Sequence, residues 1–182
     1  MEKEKIYAER KELMERLVDS FQDNLIPAMI REPENPEDPE EPVVMSVLFD
    51  EMGRGEEAFG EFCFRPLISE KDEVQFFTAL ITFSDDLEER FIPALFEAAS
   101  YINFKIPGGS FMVDYTHTFL CFRLSVPMPI ALSGDALFEE MNIAAANAVT
   151  IADAYYDLLL DVSRGEAAVE DVVEFLGGSV EK

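Results

Sequence analysis

The sequence is poor in the residue types that most often carry chemistry. One histidine, two cysteines and no tryptophan occur among 182 residues. Cys63 and Cys121 are too few for a disulfide framework or a zinc cluster, and they fit a chain whose thiols stay reduced. Basic residues are scarce as well: 14 Lys and Arg stand against 38 Asp and Glu, a formal charge of −24. Proteins bind nucleic acid and anionic lipid by neutralising phosphates with Lys and Arg, so this balance argues against both as partners. Long apolar runs are missing too. The longest uncharged stretch, Met141 to Ala152, has 12 residues, short of the roughly 18 that a membrane span needs. The start, MEKEKIYAERK, is charged and carries no targeting pattern. These absences predict a cytoplasmic protein that binds neither nucleic acid nor membrane.

What is present supports a real core. Hydrophobic residues make up 48% of the chain and 16 residues are Phe. A chain of this length suits one domain, 1–182, able to bury roughly 70% of its unfolded surface. The charge is uneven. Residues 1–31 hold six Lys/Arg and seven Asp/Glu, which leaves −23 of the −24 to residues 32–182. The first segment is thus a near-neutral surface that can dock on the acidic body, in its own chain or in a twin.

Periodicity divides the chain. An N-terminal helix, within 1–25, has Ile6, Leu13, Leu17 and Phe21 at helical spacing, with Met14 and Val18 beside them. Residues 32–42, EPENPEDPEEP, place prolines at 33, 36, 39 and 42. Proline fixes φ and lacks an N–H, so an acidic, extended loop is expected there. Strand patterns follow at Val43–Phe49, Gly60–Ile68 and Val74–Phe83. A second helix has Ser84 and Asp85 as its cap and Phe91, Leu95, Ala98, Ala99 and Ile102 as its buried stripe. Pro93 predicts a late start or a bend in it. The third helix, Gly134–Val162, starts from Ser133. Its seam of Leu137, Met141, Ala144, Ala148, Ile151, Tyr155, Leu158 and Val162 resembles a coiled coil, but its central alanines suit packing on a sheet, the expected arrangement. Gly165 suits a left-handed cap, and Ser163 with Glu166 suits a capping box for a last short helix within 166–182. Helix, three strands, helix, two strands, long helix predicts an α+β fold with a mainly antiparallel sheet packed with helices.

Three features could carry chemistry. Pro107–Gly108–Gly109–Ser110 resembles a phosphate cradle, but a helix runs into it and a strand runs out, the reverse of a phosphate loop, so it reads as a helix stop. His117 and Cys121 lie four residues apart, about 6 Å on a helix but roughly 13 Å on a strand. The alternation around them predicts a hairpin. Phe111 faces Phe122, Val113 faces Leu120, a four-residue loop spans Tyr115–Thr118, His117 sits at its tip, and Cys121 lies mid-strand beside Met112. The third feature is Asp153, Asp157 and Asp161, one row on the long helix: a solvated face, a strip for a basic partner, or a metal site. No catalytic, cofactor-binding or metal-ligating residue is assigned.

The stretch LFEAASYINFKIPGGSFMVDYTHTFLCFRLSVP and the later ADAYYDLLLDVSRGE resemble the YbjN-type family of sensory-transduction regulators, whose members are similar to the type III secretion chaperone fold. Asn103, Gly109, Ser110, Phe111, Val113, Asp114, Asp153, Tyr156 and Gly165 carry the resemblance, over about Val43 to Gly165. It implies a chaperone-like core at 43–165 and lends no catalytic residues. The expected function is a non-enzymatic protein-binding module, chaperone-like or regulatory adaptor, forming a homodimer and holding a protein partner on apolar strips of the sheet or of the first and third helices. Two alternatives stand beside it. One is an acidic nucleic-acid mimic on a basic protein surface; the other is a carboxylate-metal enzyme using Asp153 and Asp157.

Overall fold

The computed structural model describes residues 3–31, 41–69 and 71–177. Helix α1 (Lys3–Asp23) leads into strands β1 (Ala28–Arg31), β2 (Val44–Met52), β3 (Glu56–Phe64) and β4 (Val74–Ser84). A 3-10 turn, Glu89–Phe91, precedes α2 (Ile92–Lys105); then come β5 (Ser110–Asp114), β6 (Phe119–Pro129), α3 (Gly134–Arg164) and α4 (Val169–Phe175). The six strands form one antiparallel sheet in the order β1-β2-β3-β4-β6-β5, with the long helix packed on it. This is the expected α+β class, with one strand more than the sequence suggested. Of the acidic proline-rich loop, residues 32–40 lie outside the described residues.

Strand β1 escapes notice because it is four residues long and follows Leu25, which turns the chain at φ 63°. Leucine in that left-handed region leaves no turn signature in a sequence. The strand then pairs antiparallel with β2, Ala28 opposite Val47 and Ile30 opposite Met45. The predicted hairpin register is observed throughout: Phe111 faces Phe122, Met112 faces Cys121 and Val113 faces Leu120.

Other boundaries differ for local reasons. Ser84 ends β4 instead of capping α2, which starts late at Ile92, with Pro93 in its first turn where no N–H is needed. The seam of α3 also departs from expectation. Leu137, Met141, Ala145, Ala148, Ala152, Tyr156, Leu159 and Val162 are the positions at most 1% exposed, and Ile151, Tyr155 and Leu158 are not among them. Their spacing averages about 3.6 residues, the period of a straight α-helix, so the stripe drifts from the strict 3.5 repeat of a coiled coil. This is a helix lying on a sheet. By length and composition alone it could cross a membrane, as many core helices could. Finally, Ser163 Oγ turns back to donate to the Leu160 carbonyl at 2.7 Å, so it caps nothing. Helix α4 instead has Ala168 as its N-cap, whose own N–H donates to Asp171 Oδ2 at 2.7 Å.

The chain clusters into two compact units. In the first (1–49, 59–79 and 125–147), α1 buries Ile6, Leu13, Met14, Leu17, Val18 and Phe21. The Phe21 ring lies 5.6 Å from Phe62 and 6.4 Å from Phe49, and Phe77 packs on Phe62 and Phe64. Most of α1's docking is thus hydrophobic, with polar contacts at its flank: Arg16 reaches Asp135 at 3.0 Å, and Glu9 accepts from the Gly134 N–H at 2.9 Å. In the second unit (50–58, 80–124 and 148–182), Phe83, Phe111, Phe122, Tyr155 and Tyr156 form an aromatic cluster. Helix α2 buries Ile92, Leu95, Ala98, Ala99 and Ile102.

Candidate functional site

The histidine and cysteine are far from any joint chemistry. His117 is exposed in the β5–β6 loop, its Nδ1 2.9 Å from Asp114 Oδ2. Asp114 Oδ1 accepts the N–H groups of Thr116 and His117 at 2.7 and 3.0 Å, so this carboxylate builds the turn. Hydrogen bonds from His117 hold its pKa below the ordinary carboxylate value. Cys121 is wholly buried within β6, and burial pushes its thiol up to about 11, the wrong direction for a nucleophile. Cys63 is also shifted upward by burial.

The Pro-Gly-Gly-Ser turn is packed against β6 at its second glycine. Gly109 sits at φ +74°, and a Cβ there would run into the Phe122 ring and lie 2.8 Å from the Arg123 carbonyl. Its glycine serves close backbone approach.

The aspartate row proves to be occupied by the protein itself. The tip of the β2–β3 hairpin brings Gly53 N–H to Asp153 Oδ1 at 2.7 Å and Arg54 N–H to Asp157 Oδ1 at 3.0 Å. The Arg54 guanidinium joins Asp157 at 3.4 Å and hydrogen-bonds Asp161. Its own pKa is raised, first by the Asp161 hydrogen bond. Close by, Arg164 makes a two-pronged pair with Glu56 at 2.8 and 2.7 Å, and Tyr156 donates its hydroxyl to the Glu57 carbonyl at 2.6 Å. The row that could have been a solvated face or a metal site is a latch for a hairpin. A metal would have to compete with these donors, and no group of three or more His, Cys, Asp or Glu among the described residues is placed to hold one.

The stripe of α1 is buried, so that helix offers no apolar strip to a partner. The apolar surface left open in the second unit lies between α2 and α4. Ser100, Tyr101, Phe104 and Lys105 line one side of a groove of about 400 Å³, and Val173 and Leu176 line the other. Phe104 is 86% exposed and Phe175, on α4, 62%. Glu97 is one turn before Tyr101, and Glu170 one turn before Val173, so helical spacing sets carboxylates on the same two faces. The sequence did hold a signal for this site. Tyr101 and Phe104 stand three apart on the side of α2 opposite its buried stripe, where an amphipathic helix is ordinarily polar.

Two further polar groups had no sequence signature. Arg10 is 3% exposed under α1, its guanidinium 5.2 Å from the Phe64 ring and 3.4 Å from the Leu132 carbonyl. Burial lowers its pKa. Its Nε and the Gln75 Oε1 have no hydrogen-bond partner among the described residues. No family model and no curated protein matches this chain.

Proposed function

We propose that this chain is a cytoplasmic, non-enzymatic protein-binding module, chaperone-like or regulatory, that holds an apolar segment of a partner protein in the groove between α2 and α4. The observation that carries the reading is the groove itself. A cleft of about 400 Å³ walled by Tyr101, Phe104, Val173 and Leu176 has room for two or three aliphatic side chains and offers few polar anchors. On a body of charge −24, with Glu97 and Glu170 on the same helix faces, the favoured segment carries Lys or Arg beside its apolar residues. Apart from the added strand β1 and the short α4, the order of elements is also that of the YbjN-type and type III secretion chaperone likeness, which supports a binding role over a catalytic one.

A photo-crosslinking amino acid at position 104 tests this in cells. The expected product is a covalent adduct to one protein, at an apolar stretch flanked by basic residues, that is lost when Tyr101→Asp is added. Absence of any adduct, or one that persists in Tyr101→Asp, overturns the reading.

A further inference from the structure

The first unit leaves open a second apolar surface, unrelated to the groove. Along β2, β3 and β4 the buried Met45, Val47, Phe49, Phe62, Phe64, Phe77 and Ala79 alternate with residues that point to the opposite face of the sheet. A half-covered sheet ordinarily puts polar side chains there. This one presents Leu48, Phe59, Val74 and Phe76, each 40–45% exposed. Met29, opposite Ser46 in the β1–β2 register, extends the patch and is 63% exposed.

The charge of this face differs from that of the chain. In the first unit its strands carry Arg31 and Glu61, with Arg65 one residue past β3, and the same alternation sets Asp50 beside Leu48 and Glu57 beside Phe59 at its margin, a net of −1 in a molecule of −24. Glu61, Cys63 and Arg65 follow one another at alternate positions on this side of the chain. Arg31 and Glu61 are paired at 2.7 Å. Two copies meeting here set mainly apolar side chains and few charges against one another, on a molecule whose net charge is otherwise strongly acidic.

We infer that the open face of the first unit, centred on Leu48, Phe59 and Phe76, is the contact through which two copies of this chain associate about a two-fold axis. Five strands about 4.8 Å apart and some six residues of about 3.3 Å each span roughly 20 by 24 Å, so two copies bury on the order of 1000 Å², the lower bound for specific association. An interface at that lower bound belongs with weak, reversible associations, so a dimer that dissociates on dilution is expected. Because its attraction is apolar and the opposing term is the repulsion of two acidic bodies, added salt tightens it.

Sedimentation velocity on the full chain tests this. The expected mass is twice 20.6 kDa at high concentration, falling to the monomer on dilution, with the equilibrium moving toward dimer as sodium chloride rises. Phe59→Asp places two like charges across the axis and is expected to weaken association by roughly 100-fold or more, since each substitution is present twice. Leu48→Ser, a milder change, weakens it less, and circular dichroism establishes that both variants are folded. Phe104→Asp, in the groove, leaves the dimer intact while abolishing partner capture, so the two proposals fail separately. A wild-type monomer at every concentration, a dimer that salt dissolves, or a folded Phe59→Asp that still dimerises overturns the inference.

Discussion

Single residues whose environment contradicts their chemistry give the sharpest tests. Arg10 is a buried cation with one long carbonyl contact, an adjacent Glu9 at 3.3 Å and an unpartnered Nε. Buried ion pairs are often no better than well-packed apolar groups of the same volume. Arg10→Met is therefore expected to be neutral or to stabilise by up to about 1 kcal/mol in urea unfolding; a loss beyond about 2 kcal/mol would show the guanidinium to be well solvated by the protein. Gly109 is the opposite case. Alanine there meets both a positive φ and the Phe122 ring, and a loss on the order of 2–4 kcal/mol is expected. If Gly109→Ala unfolds at the wild-type midpoint, the close approach is not what this glycine provides. The thiols should also separate. Cys63, partly exposed, is expected to alkylate in the native protein, and Cys121 only on unfolding, which peptide mass mapping reads directly.

Between elements, short polar contacts decide which edges are joined. Asn103, at the end of α2, donates to the Phe111 carbonyl at 2.9 Å and accepts from its N–H at 2.7 Å. One side-chain amide thus stands in for a neighbouring strand at the edge of β5. Without it, a buried backbone donor and acceptor go unpaired, so Asn103→Ala is expected to cost about 2–3 kcal/mol and to speed hydrogen exchange at Phe111. Unchanged exchange there would contradict the edge-closing role. At the hairpin latch, the Arg164 hydrogen bond holds the Glu56 pKa below its ordinary 4.5. A depressed carboxylate stabilises the fold above its unfolded pKa, and that contribution disappears as pH falls through the lower folded value. Carboxyl NMR should find Glu56 titrating below the ordinary glutamate value, and Arg164→Ala should raise it.

For the molecule as a whole, a charge of −24 opposes compaction. Raising ionic strength is expected to lift the melting temperature by several degrees at constant pH, even though the same salt weakens the Arg54 and Arg164 pairs, because those pairs are exposed and contribute little. A melting temperature that falls with salt would mean that the latch outweighs the global repulsion.

The order of elements, the α1 stripe and the β5–β6 register were legible because each is local. Alternation fixes which side of a strand is apolar, and a one-residue slip in the hairpin would have turned Phe111 and Phe122 to opposite faces. Strand β1 was not legible, since it owes its place to pairing with β2. Nor was the fate of Asp153, Asp157 and Asp161. Spacing puts three carboxylates on one face of a helix, but whether they meet solvent, metal or arginine depends on a hairpin 100 residues earlier in the chain. The groove and the open sheet face lie between these cases. Their aromatic residues were visible in the sequence, but only packing could leave them uncovered, because burial is a property of what lies opposite a side chain and not of the side chain itself.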